Sequence, residues 1–281
     1  MILITGATGF IGKNLVKKLK ELHYGFCCLI RNKKQKDFFR DVNYVVTSLE
    51  DYEKLSRDLS KIKFSEVIHL ASSIDSSKRE AENDYKCALN LIKLCKERNA
   101  SKIVFSSSYL ADPAYESYYG SSKRKSEEAI KKSGVNYTIL RMSQVYGQNG
   151  KHLSKIISLA KKSNVIPVVD KRLKMQPLFV DDAVSAIIKS LKTGKKLIID
   201  VAGDDFVSME SFADAAAKAL DKKIRKIEIP VFALHLMAPF GMLKKEQISN
   251  IKKFRRIDNS RAKNELKMKF TRLEEGIRKS L

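Results

Sequence analysis

Three serines, followed by a tyrosine and a lysine four residues apart, form the most chemically capable set in this chain. Ser106, Ser107 and Ser108 close an apolar run, and Tyr119-Gly120-Ser121-Ser122-Lys123 opens a segment that reads as a helix to Lys132. Spacing of i,i+4 places Tyr119 and Lys123 on one helix face. An ammonium beside a phenol favours the phenolate, and moving a tyrosine pKa from ~10 to ~7 represents about 4 kcal/mol of differential interaction. Tyr119 would then act as acid or base at neutral pH. A serine hydroxyl at a neighbouring strand end would polarise the same substrate oxygen. A Tyr-x-x-x-Lys alone carries little information; its place after a serine-tipped strand gives it meaning.

The elements that must position this set begin at residue 1. Ile2 to Ile4 reads as a buried strand, Gly6, Gly9 and Gly12 follow at three-residue spacing, and Ile11 to Leu22 reads as an amphipathic helix. Strand, glycine turn and helix N-terminus are the parts of a dinucleotide pyrophosphate site. Gly6 permits the turn, Gly9 lets the backbone approach the phosphates, and Gly12 lets helix and strand pack closely. The first-turn N–H groups and the helix dipole then face the anion.

Strands over Gly25–Ile30, Tyr44–Thr47, Val67–Ala71 and Lys102–Phe105 alternate with helices over Asp51–Lys61 and Ala81–Arg98. That alternation implies an α/β protein with a parallel, doubly wound sheet, whose ligands sit at the carboxyl ends of the strands. Ser72 and Ser73, like the serine triplet, lie at such an end. Arg31 closes the second strand about twenty residues past the glycines, where a carboxylate would bind the ribose 2′-hydroxyl of NAD. A guanidinium there suits a 2′-phosphate, so NADP is expected, with NAD as the alternative. His69 lies in an apolar strand and reads as packed. Beyond Gly147, helices are expected over Leu153–Lys162, Asp182–Leu191 and Met209–Leu220, the last capped by Ser208, and strands over Val165–Val169, Leu178–Val180 and Leu197–Val201. Pro230 to Met242 is apolar and reads as core or cleft wall; Lys244 to Arg256 is basic.

The chain has 281 residues, enough for one large α/β domain or two unequal parts. The division expected is 1–146 for dinucleotide binding and 147–281 for an interleaved substrate part. Four cysteines, Cys27, Cys28, Cys87 and Cys95, lack metal-ligand spacing, so no metal is expected and reduced thiols in a cytoplasmic protein are. The chain opens directly on a core strand, so no signal peptide is expected. No apolar run approaches the ~20 residues that span a bilayer. The net charge of +23 is spread over nearly every helix rather than gathered in one tract. It reads as a lysine-rich surface, not a nucleic-acid face.

Gly6-x-x-Gly9-x-x-Gly12, Val67-Ile68-His69-Leu70-Ala71, the serine triplet and Tyr119-x-x-x-Lys123 together resemble the extended short-chain dehydrogenase/reductase superfamily, closest to its nucleotide-sugar epimerase/dehydratase group. Leu140-Arg141-Met142-Ser143-Gln144-Val145-Tyr146-Gly147, Phe179-Val180-Asp181-Asp182-Ala183 and the closing segments Arg261–Leu266 and Leu273–Ile277 extend the resemblance over the whole chain. It implies a Rossmann-type fold and hydride transfer at a sugar carbon. It also implies Tyr119 as acid/base, Lys123 on the nicotinamide ribose and Ser108 as hydroxyl partner. Cofactor contacts are implied at Gly6, Thr8, Gly9, Phe10, Ile11, Gly12, Arg31, Asn32, Leu49, Leu70, Ala71, Ser106, Tyr119 and Lys123. Substrate contacts are expected at Ser72, Ser73, Ser107, Ser108 and Gln144, and, by position and charge alone, at Arg172, Lys174 and Arg255. The chain departs from the group's pattern in the short segment before Tyr119, in Asp84 where asparagine is usual, in Met142 for proline, and in Met175 where many members place a diphosphate-binding arginine.

The expected function is NADPH-dependent reduction of a keto group on a nucleotide-linked sugar. The alternatives are a nucleotide-sugar epimerase that keeps its cofactor and, from another class, a non-catalytic dinucleotide-sensing regulator. The expected partners are the small-molecule substrate and at most a second copy in a homodimer.

Overall fold

The computed structural model describes residues 1–32, 38–73, 77–150, 153–170, 172–194, 196–230, 249–250 and 252–281. The chain divides into two compact units. The first comprises Met1–Asp112, Tyr118–Arg141 and Val184–Ile199, the second Pro113–Ser117, Met142–Ala183 and Asp200–Leu281.

The first unit is built on β1 (Ile2–Thr5), whose four residues are all buried. It pairs in parallel with β2 (Phe26–Ile30) on one side and β4 (Glu66–His69) on the other. Parallel pairing continues from β2 to β3 (Asn43–Val46) and from β4 to β5 (Lys102–Ser108). With β6 (Tyr137–Met142) and β11 (Leu197–Val201) the order across the sheet is β11-β6-β5-β4-β1-β2-β3. The order reverses between β1 and β4, which is where an open α/β sheet leaves a crevice for a ligand. Helices α1 (Phe10–Glu21), α2 (Tyr52–Asp58), α3 (Lys78–Glu97) and α4 (Tyr118–Lys132) connect these strands. In α1 the buried positions are Gly12, Leu15, Val16 and Leu19, the 3.6-residue stripe that faces a sheet. Leu3, Cys27, Val67, Leu94 and Ile103 meet in one core cluster.

Three differences from expectation bear on the site. Helix α3 begins one turn earlier than Ala81, because Ser77 accepts from the Glu80 N–H while the Glu80 side chain accepts from the Ser77 N–H. This reciprocal capping box satisfies two orphan donors of the first turn. Strand β5 runs through the serine triplet rather than stopping at Phe105. Strand β6 is not apparent from sequence because Arg141 interrupts its apolar pattern; the guanidinium is neutralised by Glu127 of α4.

The second unit contains small strand pairs: β7 (Val145–Tyr146) with β10 (Leu178–Phe179), β9 (Lys174–Met175) with β12 (Val207–Ser208), and β8 (Val165–Val169) with β13 (Arg225–Ile229). Around them lie α5 (Leu153–Lys162), α7 (Met209–Ala219), α8 (Ser260–Glu265) and α9 (Leu273–Lys279), and α6 (Val180–Leu191) spans both units. Ser208 caps α7 as expected, accepting from the Ser211 N–H at 3.1 Å. Tyr146 is 1 % exposed, between the Phe179 and Phe212 rings. A Cβ at Gly276 would lie 2.1 Å from its hydroxyl, which fixes glycine there. Residues 231–248 and 251, which take in most of the expected apolar stretch and part of the basic one, lie outside the described residues.

No helix among the described residues is long and apolar enough to cross a membrane, and these residues hold no His/Cys/Asp/Glu cluster that would bind a metal. All four cysteines are free thiols, and burial pushes their pKa up to about 11 to 12.

Candidate active site

The turn after β1 is shaped by two glycines. Gly6 has φ +73°, and a Cβ on it would lie 2.5 Å from the Ala71 nitrogen. A Cβ on Gly12 would lie 2.2 Å from the Gly6 carbonyl oxygen. Any other residue at either position would push β4 or α1 away. Gly9 closes the turn with N–H to Gly6 O at 3.0 Å and is the N-cap of α1, with no side chain capping the helix. Its own Cβ would meet only the Gly6 oxygen, at 3.3 Å. A turn with room above it, leading into a helix whose first-turn amides lack a side-chain acceptor, fits the pyrophosphate of a dinucleotide. Thr8, Phe10 and Ile11 are half-buried on the same turn.

Below the turn, the Thr5 hydroxyl and His69 Nδ1 are hydrogen-bonded at 2.6 Å, and the Ala71 N–H donates to Thr5 Oγ1 at 3.4 Å. Leu70 donates its N–H to the Thr5 carbonyl. These bonds carry β4 past the glycines. His69 is packed, as its sequence setting implies, with its ring stacked on Phe105 at 5.4 Å. Burial, with the nearby Lys123 ammonium, lowers its pKa from 6.5 to about 3. A base depressed on folding contributes stability that is complete above pH 6.5 and lost as the pH falls towards 3. Lowering the pH from 7 to 5 should therefore cost the wild type about 2 kcal/mol more than it costs His69→Phe, the difference expected of one such group. Urea titrations of both proteins at the two pH values measure this; equal losses would show that His69 charges freely in the fold.

Tyr119 and Lys123 project from the first turns of α4 beside the end of β5. The Ser108 hydroxyl bonds to the Tyr119 side chain and accepts from the Leu110 N–H at 3.2 Å. Lys123 is 4 % exposed. It donates to the Ser106 carbonyl at 2.7 Å, and its nitrogen lies 4.7 Å from the Phe105 ring centre and 5.6 Å from that of Tyr119. The expectation that the ammonium lowers the phenol pKa to near 7 is corrected here. Lys123 meets the ring rather than the hydroxyl. Burial, reinforced by the Asp84 carboxylate, pushes the Tyr119 pKa up, and the Ser108 bond only partly offsets this. Lys123 moves the opposite way, to about 8, because burial disfavours its charge while Asp84 and Glu127 sustain it.

Glu127 and Arg141 are the residues missed by sequence reasoning. Glu127 is 1 % exposed, four residues beyond Lys123 on the same helix face. Its carboxylate takes the Arg141 guanidinium at 2.6 to 3.2 Å and the Ser107 hydroxyl at 2.5 Å. The available signals were the charge of Arg141 within the apolar run of β6 and the place of Glu127 one turn beyond Lys123. Ser107, grouped by position with the substrate-facing hydroxyls, thus points into this network and is 3 % exposed. Ser72 and Ser73 turn towards α3, where Asp84 Oδ2 accepts from the Ser72 hydroxyl at 3.0 Å and the Ser73 N–H at 2.7 Å.

At the other edge of the turn, Arg31 and Asn32 are exposed at the end of β2. Leu49 is buried, its carbonyl held by the Asn90 side chain at 2.7 Å. Four of the expected substrate residues belong to the second unit. Gln144 is half-buried and its carbonyl accepts from the Leu178 N–H. Arg172 is paired through its fork with Asp170 at 2.5 to 3.0 Å. Lys174 is exposed on β9, and Arg255 donates to the Lys252 and Phe254 carbonyls.

A doubly wound sheet with a glycine turn at its switch point defines a dinucleotide-binding α/β protein. The chain belongs to the NAD dependent epimerase/dehydratase family, whose model matches residues 2–202, and is an enzyme of that family. It is 29 % identical over 238 residues to the ceramide reductase of Caulobacter vibrioides, covering 82 % of this chain and 74 % of that protein. It is 27 % identical over 213 residues to the CDP-abequose synthase of Salmonella muenchen, covering 69 % and 70 %. The UDP-glucose 4-epimerase of Thermotoga maritima, solved with UDP-glucose, shares the fold with a TM-score of 0.84 over 99 % of this chain and 96 % of that one, at 21 % identity.

Proposed function

We propose that this enzyme is an NADPH-dependent reductase of a keto group on a nucleotide-linked sugar. The observation that carries the reading is the bond between Ser108 and the half-buried Tyr119 phenol, where desolvation favours the protonated form. Reduction of a carbonyl needs a proton donor at the oxygen, and Tyr119 is already in that form. An epimerase that first oxidises a hydroxyl needs a base at the same place. The name of one relative, a ceramide reductase, points the same way. A bound nicotinamide dinucleotide would supply the hydride. Ser108 and Tyr119 would hold the carbonyl oxygen, and Tyr119 would release its proton to it. Lys123 would hold the nicotinamide ribose, and the amides after Gly9 the pyrophosphate. Gln144, Lys174 and Arg255 are proposed on the substrate side, in a cytoplasmic enzyme that works alone or as a homodimer.

The test is a screen of nucleotide-linked keto sugars for net NADPH oxidation. A keto group in a ceramide-class lipid is the second reading, favoured by the pairing of Arg172 with Asp170, which leaves that guanidinium turned to a carboxylate, and by the ceramide reductase relative. Oxidation with keto sugars alone supports the first reading, and oxidation with the lipid alone supports the second.

Arg31 makes the cofactor choice testable. NADPH should bind more tightly than NADH, and Arg31→Ala should lose most of the preference, at least tenfold, since a charged hydrogen-bonded contact is worth about 1.5–3 kcal/mol. Calorimetric titration of both cofactors decides it, and equal wild-type affinities would refute the assignment.

A further inference from the structure

Lys123 is a buried cation, and a buried charge is stable only when it is paired. Its direct contacts are the Ser106 carbonyl and the faces of Phe105 and Tyr119, none of which carries charge. The buried carboxylate on its own helix, Glu127, also favours the ammonium but is bonded to Arg141 and Ser107. His69, behind Phe105 on β4, is held neutral, and β5 presents hydroxyls and a carbonyl. From α3, which packs on α4, comes Asp84. It accepts from neutral donors, the Ser72 hydroxyl and the Ser73 N–H, and its charge acts on both Tyr119 and Lys123. Asp84 also acts on Cys87 of the same helix, a thiol whose pKa is pushed up to about 12 and which stays neutral.

Holding the Ser72–Ser73 turn does not require a negative charge, because an asparagine oxygen would accept the same two bonds. We propose that Asp84 is a positioning residue that serves as counter-charge to the buried Lys123 while tying the turn after β4 to α3. The charge has two effects in the reaction proposed above, on which its catalytic meaning rests. It keeps Lys123 an ammonium able to bond to ribose hydroxyls, and it keeps the proton on Tyr119 until the substrate oxygen takes it.

The test reads Lys123 directly. Isotope-labelled lysine allows its side-chain resonance to be followed against pH by NMR in the cofactor-free protein, with Lys123→Met assigning the signal. The wild type should titrate near pH 8. Asp84→Asn, which keeps the shape and the two acceptor bonds, should lower the midpoint by about one unit, tenfold in proton affinity, as expected for loss of a nearby opposite charge. Asp84→Glu should restore it, and Ser72→Ala, which weakens the turn but keeps the charge, should leave it at the wild-type value. An unchanged midpoint in Asp84→Asn would overturn the proposal, as would an equal fall in Ser72→Ala, because the turn and not the charge would then be acting. Should Asp84→Asn fail to fold, Asp84→Thr, which also removes the charge and keeps an acceptor oxygen, is held to the same expected fall and the same overturning result. The alkaline limb of kcat/KM should move with the midpoint. A titration that behaves as expected while Tyr119→Phe keeps full turnover would refute the proton-donor role and leave the counter-charge standing.

Discussion

Tyr119→Phe will lower turnover by about 10²–10⁴ while cofactor affinity stays close to that of the wild type. The substitution removes one oxygen and leaves the ring on which the Lys123 ammonium rests, at 5.6 Å. Lys123 keeps its bond to the Ser106 carbonyl, so the surroundings of the cofactor are preserved. The loss should fall on kcat, because the proton moves only as the substrate oxygen gains charge. Lys123→Met is expected to harm both binding and turnover. Steady-state kinetics with a reactive substrate and calorimetric titration of NADPH separate the two. Wild-type turnover in Tyr119→Phe would mean that another group delivers the proton.

The second large effect concerns Arg141. Arg141→Ala leaves Glu127 buried beside Lys123 without its bidentate partner and should destabilise the protein by about 3–5 kcal/mol. The Arg141 side chain is 27 % exposed, so the lower end of that range is expected. Replacing both partners with apolar residues of similar volume, Glu127→Leu with Arg141→Met, should cost much less than Arg141→Ala, since no charge is then left uncompensated. Denaturant midpoints for the singles and the double give the coupling. Additive costs would mean that the pair does not act as a unit. The network anchors α4 to β5 and β6, so it also sets where Lys123 and Tyr119 lie.

These two sites show what the sequence made legible. The strand, glycine turn and helix at the N-terminus read correctly because periodicity and glycine spacing report local geometry, and the Gly6 and Gly12 contacts follow from that geometry. The pairing of Tyr119 with Lys123 on α4 and the serine tip of β5 were also readable. The proton on Tyr119 was not. Helix-face spacing places the ammonium near the ring, but burial and a carboxylate from another helix decide the phenol's state. Strand β6 was hidden for a related reason, since Arg141 looks foreign to a buried strand until Glu127 is seen across from it. The start of α3 at Lys78 was written in Ser77 and Glu80, a local signature outweighed by the apolar pattern beginning at Ala81. Arg172 adds a local pairing that position alone did not show: Asp170, two residues before it, takes its guanidinium and its own N–H at 2.9 Å, while the side chain stays 85 % exposed.

In the proposed reaction a hydride passes from exchangeable NADPH to a keto carbon as Tyr119 protonates the oxygen. The most direct measurement uses NADPH deuterated at the transferring position of the nicotinamide, with the product analysed by mass spectrometry and the cofactor by absorbance. The account predicts one deuterium on the new carbinol carbon of the product for every NADPH oxidised. A sugar product free of deuterium, formed without net NADPH oxidation by protein that carries tightly held NAD, would contradict it and identify the enzyme as an epimerase.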